Sequence, residues 1–140
     1  MKTTDNSITF VLISIVCYGI ALTQDAFCTQ SSCVLAGGTL IVGWAGLYMG
    51  GIMLTWMANP LIFLAWLTVR RFPKISNICS LAATALMLSF LCYKQIYNHQ
   101  DEWTSDITHY GLGYYLWVAS GISIVIGNAC LPKLKNYKLL

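Results

Sequence analysis

VLAGGTLIVGWAGLYMGGIMLTWMANPLIFLAWLTV, residues 34–69, is the stretch on which the reading of the fold turns. None of its 36 residues is Asp, Glu, Lys, Arg or His. As one straight helix it would run to about 54 Å, at about 1.5 Å per residue. The hydrocarbon core of a bilayer is only about 30 Å thick. Its first part, Leu35 to Gly43, is rich in Gly and β-branched residues, which disfavour helix. The reading adopted is an interfacial or re-entrant segment over 34–45, followed by a membrane span over 46–69. Pro60 then falls inside a transmembrane helix, where neighbouring helices can satisfy the carbonyl it frees. Asn59, beside it, is expected to bond a backbone group at that kink or to reach an adjacent helix. A role in lining a small-molecule path is the second reading of this residue. The alternative for the whole stretch is two short spans turning at Asn59-Pro60.

Outward from this stretch lie three further apolar runs, Ile8–Leu22, Ile75–Ile96 and Leu112–Leu131. A span needs about 20 predominantly apolar residues, so spans are expected at about 8–24, 46–69, 75–97 and 112–131. The composition agrees. Of 140 residues, 57% are hydrophobic and 9% charged, whereas a soluble domain carries about 25% charged residues. This apolar content excludes disorder, and the 8 scattered cations form no basic stripe for nucleic acid. The expected fold is all-α: an integral membrane four-helix bundle, one polytopic domain over 1–140, with the Gly-rich segment before its second span. Its first expected partner is the lipid bilayer.

Charge gives the orientation. Lys2 precedes the first span, Arg70, Arg71 and Lys74 lie between the second and third, and Lys133, Lys135 and Lys138 follow the fourth. Cytoplasmic flanks collect Lys and Arg, so both termini are expected inside. Lys94 alone falls at the outer end, where its stem can snorkel. Asp25, Asp101, Glu102 and Asp106 are then outside. Five spans would move Lys2 out and require two spans of only about 18 residues. A cleaved signal peptide is a rival for the first span, but the n-region Met1–Ser7 has one cation offset by one acid and no clean cleavage site follows. Asn-x-Ser/Thr sequons are absent, which favours a bacterial inner membrane.

The outer face gathers the residues with chemistry. Cys28 and Cys33 flank Thr29-Gln30-Ser31-Ser32 in a short polar loop, and in an oxidising compartment they are expected to pair. Two free thiols and a catalytic redox pair are the alternatives, but the spacing is not C-x-x-C. Membrane enzymes that pass electrons from thiols to quinones share the expected helix count, yet need two outer cysteine pairs. The second loop, 98–110, holds both histidines, His99 and His109, with Asp101, Glu102, Trp103 and Asp106. On a helical turn Asp106 and His109 would share a face, a spacing that metal ligands also use. No H-E-x-x-H signature accompanies it, so no metal is assigned and the loop reads as solvated. Tyr110, Tyr114 and Tyr115, with Trp117, follow where the chain re-enters the membrane, and read as an interfacial anchor. Gly111 and Gly113 add a second reading, the floor of a pocket or a docking ledge. Trp44 is expected on the same side.

Within the spans no Asp, Glu, Arg or His sits at mid-depth, which argues against a proton-coupled pump. Gly43, Gly46 and Gly50 share one helical face, and Ala119, Ser123 and Gly127 repeat every four residues. Such small stripes mark helix–helix contacts in lipid, within the bundle or in a homo-oligomer. No cofactor or catalytic motif is present, and no cofactor is expected. The function expected is that of a small non-catalytic inner-membrane protein, an accessory, assembly or immunity-type subunit, binding a protein partner through its outer face. The alternatives are an oligomeric channel or transporter and a thiol–disulfide oxidoreductase using Cys28 and Cys33.

Overall fold

The computed structural model describes residues 2–45, 51–97 and 104–130. The chain is mostly helical. Helix α1 spans Lys2–Ala21, α2 Ala36–Val42, α3 Ala58–Thr68, α4 Pro73–Ser89 and α5 Leu112–Cys130. Two 3-10 segments, Gly51–Met57 and Phe90–Cys92, lead into α3 and extend α4. Helical stretches Pro73–Cys92 and Leu112–Cys130 are long and apolar enough to cross a membrane, whereas the apolar stretches Ile8–Ala21 and Leu54–Thr68 are shorter.

The all-α expectation is overturned. Four strands form: β1 Asp25–Thr29 and β4 Thr104–Tyr110 in the segments read as outer loops, β2 Cys33–Leu35 where the Gly-rich segment was expected to begin, and β3 Gln95–Tyr97 at the end of the expected third span. They join in one antiparallel sheet of order β2-β1-β4-β3. Its central pair joins segments some eighty residues apart, with Phe27 opposite Tyr110 and Cys28 opposite His109. Each segment pairs within itself, β1 with β2 and β3 with β4, and the backbone groups left on β1 and β4 satisfy one another across the central pair. The residues suit it: Phe27, Thr29, Ile107, Thr108 and Tyr110 are aromatic or β-branched.

The connections place the sheet at one end of the helices. α1 and the α4 extension run into it, and α2 and α5 leave it. The opposite end carries the α3–α4 turn with Arg70, Arg71 and Lys74. Pro73 opens α4 at a position where a missing N–H is harmless. Helices α1, α3, α4 and α5 share a core of Tyr18, Ile62, Ala65, Ala83, Met87 and Ile124.

Around this apolar core, large apolar side chains are also exposed, and several hydroxyls are buried. Ser14, Ser76, Ser80 and Ser120 are fully buried, whereas Leu12, Val16, Ile78 and Leu81 are exposed, and Leu67 is 81% exposed. Hydrogen bonds through these residues join the helices, although the hydroxyls of Ser80 and Ser120 themselves donate within their own helices. Ser14 donates to the Ser120 carbonyl at 2.7 Å and accepts from the Trp66 indole at 2.9 Å. Asn128 donates to Ser80 at 3.0 Å, and Ser76 donates to the Ala65 carbonyl at 2.8 Å with Asn128 Oδ1 3.1 Å away.

Pro60 also departs from expectation. It lies in the first turn of α3, just after the change from 3-10 to α geometry, rather than within a long helix. The first turn of an α-helix needs few backbone donors of its own. The 34–45 stretch is a short strand followed by the short helix α2. Gly43 does not sit in a glycine stripe between long helices: a Cβ there would overlap the Trp56 indole. Gly46 and Gly50 lie outside the described residues. Ala119 and Ser123 are half-buried and Gly127 is buried.

Candidate functional site

Beneath the sheet is a cavity of about 850 Å³. The sheet contributes Phe27, Val34 and Ile96, and α2 with the following 3-10 segment contributes Leu40, Ile52, Thr55 and Trp56. Phe90 and Tyr114 line it on the α4 and α5 side, and Tyr18, Asn59 and Trp117 lie at the helix end. Strand periodicity explains the division of the sheet. Side chains alternate between faces, so Ser105, Ile107 and Tyr110 are partly covered while Asp106 and His109 are exposed. A register shift between Cys28 and Thr29, opposite residues 107–109, keeps Thr108 and His109 both on the exposed side.

The walls are fixed by specific bonds. The Trp56 indole donates to the Leu40 carbonyl at 3.1 Å and rests against Gly43, so α2 and the 3-10 segment are held together. Phe27, Phe90 and Tyr114 form a second small core beside the cavity. Tyr114 is buried, and its hydroxyl donates to the Met87 carbonyl at 2.9 Å. Tyr110 donates to the Tyr93 carbonyl at 3.0 Å. Burial lifts its phenol above the usual value, with the Cys92 thiol and Tyr115 adding to the effect. Gly111 and Gly113 are where α5 starts, Gly111 against Asp25 of β1 and Gly113 against the backbone leading from the end of α1 to β1. A Cβ at Gly113 would lie 2.8 Å from the Asp25 carbonyl oxygen and 2.9 Å from that of Gln24.

Asn59 is the polar centre of the helix end. Its Oδ1 accepts from the Tyr18 hydroxyl and from the Trp117 indole, each at 2.9 Å. It thus reaches two adjacent helices, α1 and α5. The lining holds no Asp, Glu, His, Lys, Arg or Cys among the described residues. Such a lining offers apolar surface and hydrogen bonds, the latter from hydroxyls, the Asn59 amide and indole N–H groups.

The residues expected on the outer face are placed differently from one another. Cys28 and Cys33 face one another across the β1–β2 hairpin and form a disulfide. His109 is beside them, with its ring nitrogen within 4.8 Å of both sulfurs. Bonded sulfurs are not thiolates, the form that binds metal, so the trio is no metal site in this state. Asp106 and His109 do not share a helical turn, since both are on β4. Asp106 accepts from Gln95 at 2.9 Å instead. Trp44 and Tyr115 are exposed, at 58% and 56%. His99, Asp101, Glu102 and Trp103 lie outside the described residues. Tyr110 and Tyr114 are packed among aromatic rings rather than arrayed as an interfacial belt.

Sequence reasoning passed over Tyr18 and Trp56 and read Trp117 first as an anchor, with the floor of a pocket as the second reading of its stretch. A signal was available: each carries an N–H or O–H within an apolar run, and such groups need a partner when buried. No family model, no curated protein and no solved structure matches the chain.

Proposed function

We propose that the chain is a non-catalytic membrane protein that binds an apolar guest in the cavity beneath its outer sheet. The observation that carries this reading is the cavity itself. Its volume of about 850 Å³ lies in the range of small-molecule sites, and a mostly apolar lining with few polar groups is typical of them. The absence of any acid, base or thiol in the described lining favours binding over catalysis.

Two features support the membrane setting, a bundle of four spans formed by α1, α3 with the segment before it, α4 and α5. Leu and Ile side chains cover the outside while Ser and Asn bond inside, as expected where lipid is the solvent and polar groups hold helices together. Arg70, Arg71 and Lys74 lie at the end away from the sheet, and Asp25 and Asp106 lie on it. With cations inside, the sheet caps the outer face and both termini are cytoplasmic, in a bacterial inner membrane. The disulfide fits an oxidising outer compartment.

The test is organic extraction of protein purified in mild detergent, followed by mass spectrometry. We expect a neutral apolar compound recovered near one per chain, and lost from a Val34→Phe variant that narrows the cavity. Recovery of the same lipid mixture from both proteins in proportion to the detergent belt would overturn the reading.

A further inference from the structure

We propose that the guest is a neutral amphiphile whose carbonyl or hydroxyl oxygen accepts a hydrogen bond from Nδ2 of Asn59; this rests on the cavity being a binding site. The orientation of the Asn59 amide is fixed by its partners. The indole N–H of Trp117 can only donate, so the atom it meets at 2.9 Å is the amide oxygen, and the Tyr18 hydroxyl donates to the same oxygen at 2.9 Å. The Nδ2 group, with two N–H donors, is therefore the other arm of the side chain. Among the described residues none accepts from it. Asn59 is only 7% exposed and lines the cavity.

Among the described residues no fully enclosed side-chain nitrogen or oxygen lacks a partner, so the unpartnered Nδ2 keeps an open side where Asn59 lines the cavity. Elsewhere in the bundle the corresponding amide, Asn128, uses its Nδ2 on Ser80. The contrast assigns the free arm of Asn59 to something that enters from the cavity. The chemistry of that guest follows from the lining. With donors at the deep end, its head must present an oxygen acceptor. With no charged side chain among the described lining, a carboxylate, phosphate or ammonium would enter at a large desolvation cost without a counter-charge. The aromatic and aliphatic walls formed by Phe27, Leu40, Trp56 and Phe90 suit the hydrocarbon remainder. A membrane-derived acylglycerol and a free medium-chain ketone or alcohol share this chemistry.

The experiment uses the full chain in lipid nanodiscs and reads quenching of tryptophan fluorescence by brominated probes, since Trp56 and Trp117 line the cavity. The probes are 11-bromoundecan-2-one, 1-bromoundecane, 11-bromoundecanoate and a bromoacyl monoglyceride. The ketone is expected to bind about tenfold more tightly than the alkane, the worth of one hydrogen bond, and the carboxylate more weakly than either. Preference for the monoglyceride or the ketone identifies the lipid or the free molecule as the source; either keeps the Asn59 contact. An Asn59→Leu variant should lose the tenfold preference while still quenching with the alkane. Because that variant also removes the acceptor for Tyr18 and Trp117, a second readout uses the native protein. The infrared carbonyl stretch of bound ¹³C-labelled undecan-2-one should lie below its position in the lipid alone. Equal binding of ketone and alkane with an unshifted stretch overturns the Asn59 contact but leaves the cavity as a binding site. Failure of every probe to quench beyond the lipid background overturns the binding site and the contact together.

Discussion

The two ends of the helix bundle solve the same problem differently. Away from the sheet, Ser14, Ser76, Ser80, Ser120 and Asn128 are buried and bonded to one another or to backbone carbonyls, Ser120 to that of Trp117 in its own helix. Side chains there interlock around Ile62 and Ile124, both fully buried. Towards the sheet, the corresponding polar residue is Asn59, which satisfies two neighbours with its oxygen and turns its nitrogen arm to a cavity. Both regions contain small residues, aromatic rings and uncharged polar groups in an apolar sequence. What separates them is whether the polar valences close on the protein. Where they close, they hold helices together; where one is left over beside open volume, the region can recognise something else.

That comparison can be broken most drastically at the joint between the two regions. Gly113→Val should prevent recovery of folded protein, a loss of more than about 4 kcal/mol, because the new side chain meets backbone carbonyls that cannot move aside. A monodisperse variant with native circular dichroism would show that the sheet and the bundle are not locked there.

The next contrast is a pair of equal truncations. Ile62→Ala, in the closed region, should cost about 3–4 kcal/mol, since it leaves a new void in a packed core. Ile96→Ala, on the cavity wall, should cost about 1 kcal/mol, because the volume beside it is open already. Thermal unfolding in one detergent would measure both, and equal losses would erase the distinction between packed and open ends.

Replacing Cys28 and Cys33 together by Ser should cost about 2 kcal/mol, the loop-closure value for so short a ring. Hydrogen exchange should place that loss in β1 and β2 and leave Ile62 and its neighbours protected. Loss of protection across the whole chain would mean that the sheet and the bundle unfold as one unit.

The smallest expected effect is a gain. Gly38 lies in α2 with nothing within 4 Å of the position a Cβ would take. Gly38→Ala should therefore raise stability by about 0.5–1 kcal/mol through helix propensity alone. A loss would show that the open side of α2 needs the freedom of glycine.

Much of the architecture was legible before any coordinates. Apolar run lengths located α1, α4 and α5 to within a few residues at most ends, and the length of the 34–69 stretch correctly required something other than one straight helix. The pairing of Cys28 with Cys33 followed from their isolation in one polar loop. The strands were harder. Gln95-Ile96-Tyr97 and Ile107-Thr108-His109-Tyr110 carry β-forming residues, but each is too short to announce a sheet by itself. Asn59 was singled out for the right reason, an amide in an apolar run, yet its partners could not be named.

The division has a physical basis. Sequence by itself determined the solvent preference of each segment, because hydropathy and charge are properties of residues summed over a window. It also determined where the chain must turn, at Gly, at Pro and at clusters of charge. Only the tertiary structure decided that two distant loops pair strand to strand, that Trp56 rests on Gly43, and that Tyr18 and Trp117 meet on one amide oxygen. Each of these depends on the matching of groups far apart in the chain. A hydrogen bond discriminates between an atom satisfied and one left over at a distance of about 3 Å, and no local pattern carries that information.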